Sequence, residues 1–158
     1  MTTKKVALIT GANKGIGFEA AKQLAALEYF VFIGSRDKNK GKQAEEQLKG
    51  MGFADVKSLE IEVTNKQSIQ KAKEEIESQF QKLDVLINNA GIGGEMPQNA
   101  STISLENLRS VYETNFFGVI QVTQHFLELL KKSDEPRIVN VSSDLGSLTN
   151  HKNPAYPF

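Results

Sequence analysis

The chain has no cysteine, only two histidines and four prolines, no surplus of charge of either sign and no long apolar run. Without cysteine there is no disulfide, thiolate nucleophile or zinc ribbon, a composition compatible with a reducing cytosol. The histidines, His125 and His151, belong to no ligand-spaced cluster, so metal chemistry is not expected. Lysine plus arginine equals aspartate plus glutamate at 19 each, so no overall field draws the chain to nucleic acid or to an anionic membrane. Any partner must be recognised locally. No segment approaches the roughly 18 unbroken apolar residues that a membrane helix needs. The apolar part of the opening MTTKKVALIT, Val6 to Ile9, is too short for a secretory signal and reads as a first strand, hence a cytoplasmic protein. The Asn-X-Ser triplets at Asn99 and Asn140 then carry no glycan.

What is present is the pattern of one α/β domain over residues 1–158, long enough to bury about two thirds of the surface of its unfolded form. VALI (6–9), FVFI (30–33), VLI (85–87) and IVNV (138–141) are unalternating apolar runs, the signature of strands buried on both faces of a parallel sheet. Between them apolar residues recur at helical spacing: Ile16, Ala20, Leu24 and Leu27, then a weaker set of Ala44, Leu48 and Met51, then Ile69, Ala72, Ile76 and Phe80. In VKSLEIEV, Leu59, Ile61 and Val63 alternate with polar residues, which predicts a half-exposed edge strand. Alternating strands and helices with right-handed crossovers give a doubly wound sheet. A long helix is expected from about Ser104 to Lys131. Phe116, Phe117, Ile120, Phe126 and Leu130 help to encircle it with apolar side chains, and a helix apolar all round expects neighbours on more than one side.

TGANKGIG follows the first strand and opens the first helix. Gly11 can take the positive-φ turn out of the strand, and Gly15 and Gly17 let backbone approach a pyrophosphate at the helix N-terminus. The spacing is Gly-x-x-x-Gly-x-Gly, neither the common dinucleotide fingerprint nor a Walker loop; a tight strand-to-helix turn is the plainer alternative, and the position after a strand and before a helix favours the phosphate site over it. The end of the second strand narrows the ligand. Where an NAD-binding fold places an acid for the ribose 2′-hydroxyl, this chain has Ser35, which leaves room, and Arg36, a fork suited to a 2′-phosphate. Lys14 adds a second positive charge, while Asp37 is a carboxylate in the wrong place for that assignment. On balance these residues favour NADP(H) over NAD(H).

These segments, with EVT at 62–64, NNAG at 88–91, YETNFFG around Asn115 and RIVNVSS ending at Ser143, resemble in order the short-chain dehydrogenase/reductase family, most closely its NADPH-using carbonyl-reductase-like branch. The resemblance implies a Rossmann-type doubly wound sheet of about five strands in the order 3-2-1-4-5. It implies Gly11, Asn13, Lys14, Gly15, Ile16 and Gly17 at the cofactor phosphates and Ser35 and Arg36 at the 2′-phosphate. Glu62 and Val63 would lie near the adenine, Glu62 standing where the family has the shorter aspartate, with Asn89, Ala90 and Gly91 near the adenosine ribose. It further implies hydride transfer between NADP(H) and a small carbonyl or alcohol substrate, with Ser143 hydrogen-bonded to the substrate oxygen and Asn115 holding a water of the proton relay. Read as structure alone, NNAG is a strand-ending turn, Ser143 a strand-end hydroxyl and Asn115 a polar interruption of a buried helix.

The family's acid catalyst is a tyrosine on a helix, its pKa lowered by a lysine one turn later. Tyr156 is followed by Pro157, which disfavours helix at Tyr156, and the chain has no residue four positions on. Tyr156 therefore reads as loop, and the catalytic Tyr-Lys pair, with the family's last strands and helices, is expected beyond Phe158. That expectation leaves a bare sheet edge at RIVNV and a bare helix face, a surface for self-association. The competing reading is a non-catalytic nucleotide-binding or interaction module whose open edge recruits a partner. A methyltransferase is disfavoured by Ser35 and Arg36, where an acidic ribose ligand would stand.

Overall fold

The computed structural model describes residues 4–96, 98–99 and 101–155. Tyr156, on which the question of an acid catalyst turned, lies outside them. Five strands, β1 (Val6–Ile9), β2 (Phe30–Ser35), β3 (Val56–Glu60), β4 (Val85–Asn88) and β5 (Arg137–Asn140), form one sheet in the order β3-β2-β1-β4-β5. Every pairing is parallel. Helices α1 (Gly15–Ala26), α2 (Lys38–Gly50), α3 (Lys66–Glu77), α4 (Leu105–Tyr112) and α5 (Gly118–Leu130) make the crossovers, and a one-turn α6 (Leu148–His151) follows β5. This is the Rossmann-type doubly wound sheet.

Strand side chains alternate between the two faces, and each face has its own core. Leu8, Phe32, Leu59 and Leu86 pack with Ile69, Ile76, Val122 and Phe126 of α3 and α5. Ile9, Val31, Ile33 and Val56 pack with Ala21, Ala44 and Leu48 of α1 and α2. The α3 periodicity lands as expected, with Ile69, Ala72 and Ile76 buried.

The α1 stripe does so only in part: Ala20 and Leu24 pack against the core, but its two ends do not. Ile16 and Leu27 are 71% and 68% exposed, and the helix instead buries Gly17 and Ala21, flanked by Phe18, Ala20, Leu24 and Ala25. Small residues let it lie almost on the backbone: a Cβ on Gly17 would come within 2.8 Å of the Gly11 carbonyl oxygen. Met51 likewise falls outside the core, just past the end of α2.

The long helix forms, but not as one α-helix. Glu113–Phe117 make a π-turn between α4 and α5. α5 buries Val122, Phe126, Leu129 and Leu130, whereas α4 and the π-turn bury nothing. Phe116 and Phe117 stack edge to face on each other at 5.2 Å and stay largely exposed. β5 is also bare, with Ile138 and Val139 44% and 45% exposed. No helix among the described residues is long and apolar enough to cross a membrane.

Candidate functional site

At the C-terminal ends of β1, β2 and β4 lies a cleft of about 1250 Å³. This is the position where an open parallel sheet binds ligands, at the point where the strand order reverses.

Its floor is the turn out of β1. Gly11 has φ of +64°, and a Cβ there would stand 2.8 Å from Ala90 Cα, so both conformation and space demand glycine. The turn is braced from β4. The hydroxyl of buried Thr10 accepts from the N–H groups of Asn89 and Ala90, both at 3.0 Å, and Asn89 Nδ2 donates to the carbonyls of Thr10 (2.9 Å) and Gly11 (3.0 Å). Asn89 thus holds the loop as well as lining the cleft, and Thr10, which the motif reading passed over, is the joint between them. A threonine directly before the first glycine, with a hydroxyl at a strand end, was the available signal.

α1 opens on Lys14, which contributes no side-chain cap, and it has no acid in its first turn. By contrast α2, α3 and α4 are capped by Asp37, Asn65 and Ser104. The first N–H groups of α1 are left for something else to satisfy, next to a cleft wall made by Asn13, Lys14 and Gly15. Of the residues expected at the phosphates, Ile16 and Gly17 are not part of that wall; Gly17 is buried behind it.

The far end of the cleft is cationic. Arg36 and Lys40 line it with Lys14, and among the described residues neither Arg36 nor Lys14 is ion-paired. The carboxylate that complicated the assignment is engaged elsewhere. Asp37 Oδ1 accepts from the Lys40 N–H at 3.0 Å as the N-cap of α2, and Oδ2 lies 3.7 Å from Lys40 Nζ. That backbone hydrogen bond, ahead of the Lys40 charge, holds the Asp37 carboxyl below its ordinary value. Ser35 is buried, its hydroxyl donating to the Asp37 carbonyl at 2.8 Å, and shapes this turn from behind. Lys40 went unnoticed in the sequence because its relevance depends on the cap folding it back over Asp37.

Glu62 and Val63 line the adjoining wall. The Glu62 carboxylate accepts from Thr64 N–H (3.3 Å) and Oγ1 (3.1 Å), and Val63 is buried against Gly118, where a Cβ would approach it to 2.9 Å.

The remaining wall is the loop after β4, from Gly91 to Glu95. Asn115, inside the π-turn, accepts from the Ile92 N–H at 2.8 Å and donates to the Ile92 carbonyl at 2.9 Å. Rather than interrupting a buried face, it is exposed and fully paired. The π-turn at this residue is the kind of local distortion found at functional sites. Ser143 sits past β5 on an exposed segment, its carbonyl accepting from Gly146 N–H at 3.2 Å, and it is not part of the cleft wall.

A model of the family described as short chain dehydrogenase matches residues 5–157. The chain is 38% identical to a (+)-neomenthol dehydrogenase from Arabidopsis thaliana, covering 94% of this chain and 56% of that protein. The structure of salutaridine reductase from Papaver somniferum superposes with a TM-score of 0.85 at 33% identity, over 93% of this chain and 60% of that one. A structure titled ElxO with NADP bound gives 0.81 at 30% identity, over 89% of this chain and 56% of that one. The chain therefore spans a little over half the length of the proteins it matches.

Proposed function

The chain belongs to the short chain dehydrogenase family, and from that membership and the cleft we propose that it is an oxidoreductase component that binds NADP(H) ahead of NAD(H). The reaction class is hydride transfer between the cofactor and a small carbonyl or alcohol substrate.

The observation that carries the cofactor choice is the group of Lys14, Arg36 and Lys40 beside an Asp37 whose carboxylate is held by the α2 cap. A 2′-phosphate there would have Arg36 and Lys14, without ion pairs among the described residues, and Lys40, which shares its charge with Asp37. A bare 2′-hydroxyl meets no free acceptor carboxylate of the kind that reads NAD. The uncapped α1 N-terminus and the close Gly11 to Ala90 approach suit a pyrophosphate, with Asn13, Gly15, Ile16 and Gly17 forming or backing that turn and Ser35 supporting the phosphate turn from behind. Glu62 and Val63 bound the adenine side, and Asn89, Ala90 and Gly91 the ribose side. When bound, the cofactor supplies the hydride. Asn115 and Ser143 are the assigned catalytic residues, and since both polar groups of the Asn115 side chain hold Ile92, its part in a proton relay runs through the wall it positions.

The test is calorimetric titration of this chain with NADPH and NADH. Arg36→Glu should weaken NADPH by at least about tenfold, a lost charge-assisted phosphate contact, and leave NADH within about twofold. Equal losses for both would remove the phosphate assignment. On this reading the chain binds cofactor without turning over a ketone, and turnover appears when a downstream Tyr-x-x-x-Lys segment is joined to it.

The second reading, a non-catalytic nucleotide-binding or interaction module that self-associates, is favoured by the open β5 edge and the exposed Phe116 and Phe117. It predicts binding with no turnover in any form. A cytoplasmic location accompanies either reading and is tested by fractionation.

A further inference from the structure

The loop from Gly91 to Glu95 contains three glycines and has little stiffness of its own, yet it forms one wall of the cleft. Gln98 Nε2 donates to the Gly93 carbonyl, and the two ends are held by a pair of asparagines across the cleft wall. Asn107 Oδ1 accepts from the Glu95 N–H at 2.9 Å, and its Nδ2 donates to the Glu95 carbonyl at 2.8 Å. This is the same double pairing that Asn115 makes with Ile92, three residues earlier in the loop. Each carboxamide satisfies both backbone groups of one residue, as a strand neighbour would.

The π-turn makes this possible. In an unbroken α-helix, residues eight apart end about 80° out of line. A π-turn takes more residues per revolution, so Glu113–Phe117 bring position 115 back toward the face that carries Asn107. The loop is also seated without slack. Gly94 has φ of +73°, and a Cβ there would lie 2.7 Å from both Asn107 Oδ1 and Val111 Cγ2. Asn107 stands three residues after the cap Ser104, whose hydroxyl takes its N–H at 3.1 Å. In a capping box the side chain at that position reaches back to the cap. Here it reaches across to the loop instead.

We propose that Asn107 is a positioning residue of the cleft: with Asn115 it clamps the Gly91–Glu95 wall at two points and so sets the part of the site away from the cations. The inference rests on the cofactor reading above. It requires an amide specifically, because aspartate offers the Glu95 carbonyl no donor and alanine offers the loop neither partner.

The test uses wild type, Asn107→Asp, Asn107→Ala and Gly94→Ala. It measures NADPH binding, binding of 2′,5′-ADP, which carries the adenosine 2′-phosphate and none of the nicotinamide half, and amide exchange at Glu95 without ligand. The variants should lose NADPH affinity by about tenfold, the scale of one to two net hydrogen bonds, and keep 2′,5′-ADP within about twofold. Glu95 should exchange about tenfold faster in Asn107→Ala and Gly94→Ala, while Asn107→Asp keeps the acceptor of the Glu95 N–H and should lose NADPH affinity with that amide still protected. Unchanged Glu95 exchange in folded Asn107→Ala and Gly94→Ala, or equal losses for both ligands in any variant, would overturn the proposal. If wild type bound neither ligand while Glu95 protection still depended on Asn107, the cofactor reading would fall and take the positioning role with it, the clamp surviving as a structural contact.

Discussion

The two edges of the sheet are treated in opposite ways. At β3 the middle of the outward backbone is covered by α2. Ile61 N–H donates inward to Ser35 of β2, and by alternation the Ser58 N–H faces out, where Glu45 of α2 accepts it at 2.9 Å and the Ser58 hydroxyl at 2.8 Å. Glu45 is buried and paired with Lys49 at 2.6 Å and Lys42 at 3.1 Å. Burial pushes its carboxyl up, but Lys49, the two Ser58 donors and Lys42 outweigh that and bring it down to about 2. β5 keeps an apolar pair, Ile138 and Val139, between Arg137 and Asn140, and all four of its residues are exposed. A strand edge is a template for further pairing unless something caps it. The lesson is that Arg36 and Lys40 follow a strand whose outer neighbour is covered, while Ser143 follows a strand left open.

The sharpest test of that contrast is a pair of truncations. Phe32→Ala, in the core under β2, should cost about 3–5 kcal/mol in urea unfolding, whereas Ile138→Ala on β5 should cost no more than about 1 kcal/mol. A large loss at Ile138 would mean that β5 is covered in solution. Next comes acid. The Glu45 carboxyl falls from 4.5 to about 2 on folding, so its stabilisation is complete above pH 4.5 and fades as the pH drops toward 2. Up to about 2 kcal/mol of pH dependence should therefore disappear in Glu45→Gln, measured as unfolding free energy between pH 5 and 3. Parallel profiles for the two proteins would show that the β3 edge is not closed by this charge. The smallest effect is expected from Val139→Lys. Stability should stay within about 0.5 kcal/mol, while any self-association through the open edge, followed by sedimentation, should decrease. An unchanged association state in a self-associating protein would place the contact elsewhere.

Much of the fold was legible because the signals are local. Four strands are short apolar runs, and the one strand with alternation, β3, is an edge. Arg36, Lys14 and the glycine turn could be placed by position after a strand. What was not legible depends on partners far along the chain. Nothing near Thr10 announces Asn89 and Ala90, and Asn107 gains its meaning only from Glu95. Asp37 was ambiguous until its cap was visible. In α1 the apolar periodicity pointed at Ile16 and Leu27, while close packing selected the face with the smallest side chains. The π-turn leaves no trace in hydropathy, because the residues on both sides of it are apolar.

The joint between Thr10 and the Asn89–Ala90 pair spans 79 and 80 residues of sequence, and the hydrogen bond from Val6 N–H to the buried Asp84 carboxylate spans 78. Loop-closure entropy has to be overcome before such contacts return anything, which slows folds built on them. During synthesis the glycine turn emerges well before β4, and it stays unbraced until β4 has been made and has inserted beside β1. The floor of the cleft is therefore ahead of β4 in the order of translation and dependent on it in the order of folding.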